Sequence, residues 1–291
     1  MRIIKDYMNN DALRHELNVL TETVFGFSFE DWVVNGYNQG DYIPCSLEED
    51  GKIISNVSAN IMKFVQNGEF KSYIQIGTVM TDSCHRKKGL ARGLMERVIK
   101  EYEGKCDGIY LFSDLGALDF YRKIGFQEKM QYTYTLKRRP SPDTEGEGFM
   151  PVSPDDGETK KKYCEYVKKS IPCSAFEQIN KYGLQMFYTS HLENVYYSKD
   201  LDCFMVMERE DGNVEIQSIV SQRYIPLERI TEEIHMEYID LKLGFTPLKE
   251  ERHLFECSAY DGGDDYRLFC RGGQLDSIEK EKLYFPVLSH A

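Results

Sequence analysis

The stretch of the chain best suited to chemistry is Gly77-Thr-Val-Met-Thr-Asp-Ser-Cys-His-Arg-Lys-Lys-Gly-Leu-Ala91, which joins an apolar alternating run to a long amphipathic one. Gly89 and Ala91 carry almost no side chain, so the backbone N–H groups of this turn face outward at the start of a helix. Orphan donors and the positive end of a helix macrodipole together suit a phosphate or pyrophosphate. Arg86, Lys87, Lys88 and Arg92 add positive charge around the turn. A basic helix start is also a common solvated surface, so the spacing alone leaves anion binding and plain solvation both open.

Composition narrows the partners. The chain has 291 residues and a formal charge of −12, which opposes general binding to nucleic acid or to anionic membranes. Eight cysteines (45, 84, 106, 164, 173, 203, 257 and 270) and six histidines are dispersed without a Cys-x-x-Cys pair. Neither a metal site nor a disulfide framework is expected. No run approaches the ~20 apolar residues of a membrane span, and Met1 to Asn10 lacks the apolar core of a signal peptide, so a cytoplasmic location is expected.

The elements that must position the loop can be read from periodicity. Ala12, Leu13, Leu17, Leu20 and Val24 make one face of a first helix, with Asn9-Asn10-Asp11 ready to cap it. The aromatics Phe25, Phe27, Phe29 and Trp32 suggest a second short helix. Strands are expected over 41–48, 52–64 and 70–79, separated by Glu49-Asp50-Gly51 and Gln66-Asn67-Gly68-Glu69. A helix from Leu90, a strand over 108–112, a short helix over 117–123 and a final strand over 126–136 complete an α+β unit. The segment 139–154 holds four of the nine prolines and no apolar period, so it reads as a linker. The division expected is a first domain over 1–139, a linker over 140–158 and a second α+β domain over 159–291. Basic and acidic residues balance at 19 each in 1–140, whereas 141–291 carries 17 against 29, so the whole net charge belongs to the second half.

The segment Arg86-Lys-Lys-Gly-Leu-Ala91 resembles the acetyl-CoA loop of the GNAT superfamily of N-acetyltransferases, Arg/Gln-x-x-Gly-x-Gly/Ala. Upstream, Val79, Thr81 and Arg86 match the family's Val-x-Thr-x-Pro-x-x-Arg, with Ser83 in place of proline. Downstream, Ala117-Leu-Asp-Phe-Tyr121 followed by Gly125-Phe126 resembles its second signature. The resemblance covers 1–140 and implies a GNAT acyl-CoA-binding fold, a mixed, mostly antiparallel, splayed sheet flanked by helices. It implies acetyl-CoA as cosubstrate, held at its pyrophosphate by Arg86, Lys87, Lys88, Gly89, Leu90 and Ala91 and along its pantetheine arm by the main chain of Val79 and Thr81. It further implies that the Val79 N–H polarises the thioester carbonyl and that Tyr121 returns a proton to the departing thiolate.

A base must deprotonate the amine, and Asp114 is the candidate, with Glu30 and Asp31 as further carboxylates. Cys84 and His85 are expected to pack within the loop. The implied activity is transfer of an acetyl group to a primary amine of a small molecule or peptide, by direct attack in a ternary complex and without a metal. A non-catalytic acyl-CoA-binding regulatory module is the alternative. Either a monomer or a homodimer is compatible with the sequence.

The second half is less legible. Helices are expected over 160–170, around 175–182 and over 226–235, with strands over 194–197, 203–208 and 214–220. Val214–Val220 echoes Tyr73–Val79, and Leu243-Gly-Phe245 echoes Ile124-Gly-Phe126, but the second copy is short by 23 residues and has no glycine loop. A degenerate GNAT repeat and an unrelated α+β domain remain alternatives. The acidic surplus suggests a carboxylate-bordered cleft for cationic amines such as polyamines, aminoglycosides or lysine-containing peptides, or else a solubilising surface.

Overall fold

The structure is a computed structural model that describes residues 1–137 and 146–291. The first half runs β1 (Arg2–Lys5), α1 (Asp11–Phe25), α2 (Glu30–Val34), β2 (Tyr42–Glu49), β3 (Lys52–Gln66), β4 (Glu69–Thr81), α3 (Leu90–Tyr102), β5 (Gly108–Ser113), α4 (Leu118–Lys123), β6 (Gln127–Lys129) and β7 (Gln131–Leu136). The second runs β8 (Met150–Pro151), α5 (Gly157–Lys169), β9 (Phe176–Gln178), α6 (Tyr182–Thr189), β10 (Val195–Ser198), β11 (Cys203–Glu210), β12 (Asn213–Val220), α7 (Leu227–Glu232), β13 (Leu241–Leu243), β14 (Phe255–Tyr260), β15 (Arg267–Arg271) and α8 (Ser277–Lys280). Among the described residues no helix is long and apolar enough to cross a membrane.

Local chemistry sets the first elements. The Asn10 side chain caps α1 by accepting from the Leu13 N–H at 3.1 Å, and Gly26, at φ 78°, ends it in the left-handed region. On α3 the residues Leu94, Met95, Val98 and Ile99 are buried against Val57, Ala59, Ile74 and Ile76 of the sheet. That apolar stripe is what fixes the helix, and therefore its N-terminus, over the strands.

Two sheets follow one plan. The first has the order β1-β2-β3-β4-β5-β15-β6, with β9 added on β3. Read from its β8 edge, the second has the order β8-β10-β11-β12-β13-β7-β14. In each, the fourth and fifth strands pair in parallel and their neighbours are antiparallel. The penultimate strand of each sheet comes from the other half: β15 lies between β5 and β6, and β7 between β13 and β14. The fold is thus a mixed α+β assembly whose sheets cross the division expected between 1–139 and 159–291.

Several expectations need correction. The single strand over 126–136 is two strands in different sheets, broken at Met130. The helix expected around 175–182 is the strand β9, which extends the edge of β3, and α6 begins only at Tyr182. Part of the linker, 140–145, lies outside the described residues. Its described remainder holds β8 and the first residues of α5. Of the two internal echoes, Tyr73–Val79 and Val214–Val220 fall on the equivalent strands β4 and β12. Gly244-Phe245, however, follows β13, the counterpart of β5, and does not correspond to Gly125-Phe126 ahead of β6.

Candidate active site

The site exists because two parallel strands part. β4 and β5 pair only at Tyr73–Gly108, Ile74–Ile109 and Gln75–Tyr110, although β4 continues to Thr81 and β5 to Ser113. Across β4, the register with β3 slips between Asn56 and Ser58, and Thr78 sits in the left-handed region at φ 39°. A bulge of this kind bends the strand and re-aims its main chain. Here a polar ladder pins it. The Asn56 Nδ2 donates to the Thr78 carbonyl at 2.9 Å, the Thr78 hydroxyl to Ser58 Oγ at 2.8 Å, and the Tyr42 hydroxyl lies 2.8 Å from Thr78 Oγ1. Ser46 Oγ then donates to Asn56 Oδ1 at 2.7 Å and lies 2.5 Å from the Tyr7 hydroxyl.

Beyond the last pair of β4 and β5 opens a cavity of about 490 Å³. Gly77, Thr78 and Val79 form its floor, Ala91 of α3 borders it, and Asp114, Ala117, Phe120 and Tyr121 close one side. Phe27, Phe29, Trp32 and Tyr42 line it together with Phe187 of α6, which packs on the first three, and with Gly183, Leu184, Tyr188, His290 and Ala291. Gly77 has to be glycine: a Cβ there would meet the Ala291 main-chain oxygen at 2.6 Å and Asn60 Nδ2 at 2.9 Å. That oxygen accepts from Gln75 Nε2 at 3.2 Å. The His290 ring stacks on Phe112 with centroids 3.7 Å apart, and burial drives its pKa down to about 3, so the imidazole is neutral.

The loop expected to bind an anion leads into the open start of α3. Asp82 accepts from the Cys84 N–H at 3.0 Å and contacts His85 Nδ1 at 2.9 Å, and His85 Nε2 lies 3.5 Å from Glu49. These contacts explain Cys84 and His85 as loop residues. Lys87 and Gly89 both have positive φ, 63° and 77°, and no side chain caps the first turn of α3. Arg86, Lys87, Lys88 and Gly89 are exposed, and Arg86 Nε donates to the Thr81 carbonyl at 3.2 Å.

Tyr121 is 6% exposed, and its ring packs on Phe120, Phe126 and Phe269 at 5.0, 6.3 and 5.8 Å. Phe269 belongs to the exchanged strand β15, so the second half supports this ring. Burial, then the nearby charge of Asp114, pushes the phenol pKa upward and keeps it protonated.

The carboxylates sort differently from the expectation. Asp114 borders the cavity and is exposed. Glu30 is taken up in a clamp: Arg14 donates to both of its oxygens at 2.9 and 3.0 Å and Asn18 Nδ2 at 3.2 Å, which holds its pKa down. Asp31 is exposed and does not line the cavity. The carboxylate that sequence reading missed is Asp41. It lines the cavity, half-buried beside Asn180, and burial raises its pKa despite that hydrogen bond and the Lys63 charge. No motif marks it, since it is only the residue before β2. Among the described residues, the second half places no aspartate or glutamate side chain on the cavity, so the acidic cleft expected from its charge surplus is not formed by side chains here.

The corresponding gap in the second sheet is filled. β12 and β13 pair through Ile216–Leu243, after which the Gly244 N–H donates to Ile216 and the Val287 N–H to Gly244, at 2.8 and 2.9 Å. Pro286, Leu288 and Ser289 leave a cavity of only about 30 Å³ there. α7 has six residues and no glycine loop before it. Of the two gaps, the one in the first sheet is the open one.

Comparison with known proteins agrees with this geometry. Residues 9–128 match the family model of the Acetyltransferase (GNAT) domain. No match was found among curated proteins. Among solved structures, a GCN5-related N-acetyltransferase from Kribbella flavida aligns over 93% of this chain and 71% of its own, at 14% identity and a TM-score of 0.56. A probable N-acyltransferase from Enterococcus faecalis aligns over 96% and 74%, at 13% identity and 0.55. Eis1 from Mycobacterium abscessus aligns over 92% and 73%, at 14% identity and 0.55. At these identities the likeness concerns the fold, and it extends through both sheets.

Proposed function

With residues 9–128 a GNAT acetyltransferase domain, we propose that the chain is an acetyl-CoA-dependent N-acetyltransferase, acting on a primary amine by direct attack in a ternary complex. The observation that carries this reading is the gap between β4 and β5, which has a protonated, buried Tyr121 on its wall and the uncapped start of α3 at its border. The residues suit the cosubstrate. Exposed main-chain N–H groups from Arg86 to Ala91, with three basic side chains, would hold a pyrophosphate. The main chain of Val79 and Thr81, freed from β5, would hold the pantetheine arm. Acetyl-CoA, when bound, supplies the acetyl group as an activated thioester.

This chain's residues then divide the proton work. The Val79 N–H, on the bulged strand, donates to the carbonyl oxygen as negative charge gathers there. The Tyr121 phenol delivers its proton to the leaving sulfur. Asp41, which lines the cavity half-buried and whose pKa burial raises, takes the amine proton. Asp114, the base expected from the sequence, is the other candidate, and comparison of Asp41→Asn with Asp114→Asn separates them. Only the variant that has lost the base should drop in kcat by roughly a hundredfold or more.

Titration calorimetry with the full chain and acetyl-CoA, followed by assay of free CoA thiol with amines, tests the function. Absence of acetyl-CoA binding would remove the reading. Binding without thiol release from any amine would leave an acyl-CoA-binding module instead.

A further inference from the structure

The amine side of the cavity has a composition of its own. Phe29 lies 4.6 Å from Tyr42 and 5.1 Å from Phe27, and Phe187 lies 5.5 Å from Phe27 and 6.1 Å from Trp32, measured between ring centroids. The polar atoms of these rings are already spent. Trp32 Nε1 donates to the Gly183 carbonyl at 2.7 Å, and the Tyr42 hydroxyl is engaged with Thr78. What they present to the cavity is ring face and edge. No lysine or arginine lines the cavity among the described residues, and the carboxylate side chains are Asp41, just before β2, and Asp114, near Tyr121.

We propose that the acceptor is a monoamine with a flat apolar body, an arylalkylamine in chemical class, its ring lying against the surface that the mutually packed Phe29, Trp32 and Phe187 turn to the cavity and its single ammonium on Asp41. The inference rests on the acyl-transfer reading and names the substrate of that site. A polyamine would bring two or more further ammonium groups to a lining that offers, beyond Asp41 and Asp114, only uncharged polar side chains such as Gln39, Asn60, Gln178 and Asn180, and an aminoglycoside would set many of its hydroxyls against the aromatic faces. Burying such groups unpaired is strongly unfavourable. One ammonium beside one carboxylate, over electron-rich ring faces, is favourable.

Trp32 is the sole tryptophan of the chain, so its emission reports on this wall whether or not turnover occurs. The full chain, saturated with CoA, would be titrated with 2-phenylethylamine, spermidine and kanamycin, and thiol release from acetyl-CoA measured with the same amines. 2-Phenylethylamine is expected to change Trp32 emission saturably, and its kcat/KM to exceed that of the other two by at least about tenfold. Phe187→Ala should weaken 2-phenylethylamine by about tenfold or more while acetyl-CoA titrates normally. Turnover of spermidine or kanamycin at an efficiency equal to or above that of 2-phenylethylamine would overturn this inference and leave acyl transfer standing. Saturable change of Trp32 emission by 2-phenylethylamine, with no thiol release from any amine, would support the ligand class and remove the transferase reading. A flat Trp32 titration with 2-phenylethylamine would overturn the pocket assignment.

Discussion

Tyr121→Phe isolates one proton from everything else at the site. The ring keeps its contacts with Phe120, Phe126 and Phe269, and the hydroxyl has no hydrogen-bond partner among the described residues. Folding stability should therefore change little, because replacing an unpaired hydroxyl at the cavity by hydrogen strands no partner. The rate should respond instead. General acid catalysis is typically worth 10²–10⁴-fold, and each decade corresponds to about 1.36 kcal/mol of barrier, so the variant should lose about 3–5 kcal/mol of transition-state stabilisation. The assay is thiol release at saturating acetyl-CoA and amine across pH 6–10, with unfolding curves on the same preparations. Because burial and the Asp114 charge both push the phenol pKa upward from about 10, its deprotonation limb lies above the assay range. The wild type should show no fall in kcat toward pH 10. Two results would refute the reasoning: an unchanged kcat in the variant, or a wild-type rate that falls through pH 8–9 and ceases to fall once Tyr121 is replaced.

Gly77→Ala should cost about 1–3 kcal/mol in denaturant unfolding, as overpacking generally does. The new Cβ must displace Asn60 or the Ala291 main chain, and the loss should shrink in a double variant that also lacks residues 290–291. Glu30→Gln should lower stability by about 1–2 kcal/mol, well below a fully buried pair because the carboxylate is half-exposed. Its kcat should stay within about twofold of wild type, whereas a drop of a hundredfold would restore Glu30 as the base. Residues 1–139 and 140–291, expressed apart, should each fail to unfold cooperatively, and co-expression should return a soluble complex. Leu268, Phe269 and Cys270 of β15 are fully buried between β5 and β6, and their removal forfeits several kcal/mol from a total of about 5–15. A cooperative transition from 1–139 alone would contradict this.

What could be read from the sequence was what is locally encoded. The α1 cap, the α3 stripe, the Arg86–Ala91 turn and the Phe-Tyr helix before Gly125 each depend on residues within one or two turns of one another, so their spacing carries the information. Alternation over 126–136 likewise announced strand geometry correctly, but period two says nothing about which neighbour a strand takes. β7 and β15 each continue a sheet begun by the other half, a choice made by packing across some 130 residues of chain. The same limit hid β9: Phe176–Gln178 has no strong strand signature, and it becomes a strand because β3 offers an unpaired edge.

The division of the site follows from that asymmetry. In the proposed function the acyl side would be made by β4, α3 and α4, consecutive in the chain, where the motifs lie. The amine side would be assembled from Phe27 to Tyr42, from α6 and from His290 and Ala291, which meet only after both sheets have formed. Nothing in the identity of Asp41, Phe187 or Ala291 marks them beforehand. The acidic surplus of the second half suggested that this half would meet a cationic substrate with carboxylates. Instead it sends aromatic, small and uncharged polar residues into the cavity, Phe187, Gly183, Gln178 and Asn180 among them, and it plugs its own gap between β12 and β13 with residues 286–289. A second sheet whose own gap is filled is free to shape the cavity of the first. Substrate choice should therefore follow substitutions in α6, where Phe187 and Gly183 lie, far more than changes in the net charge of that half.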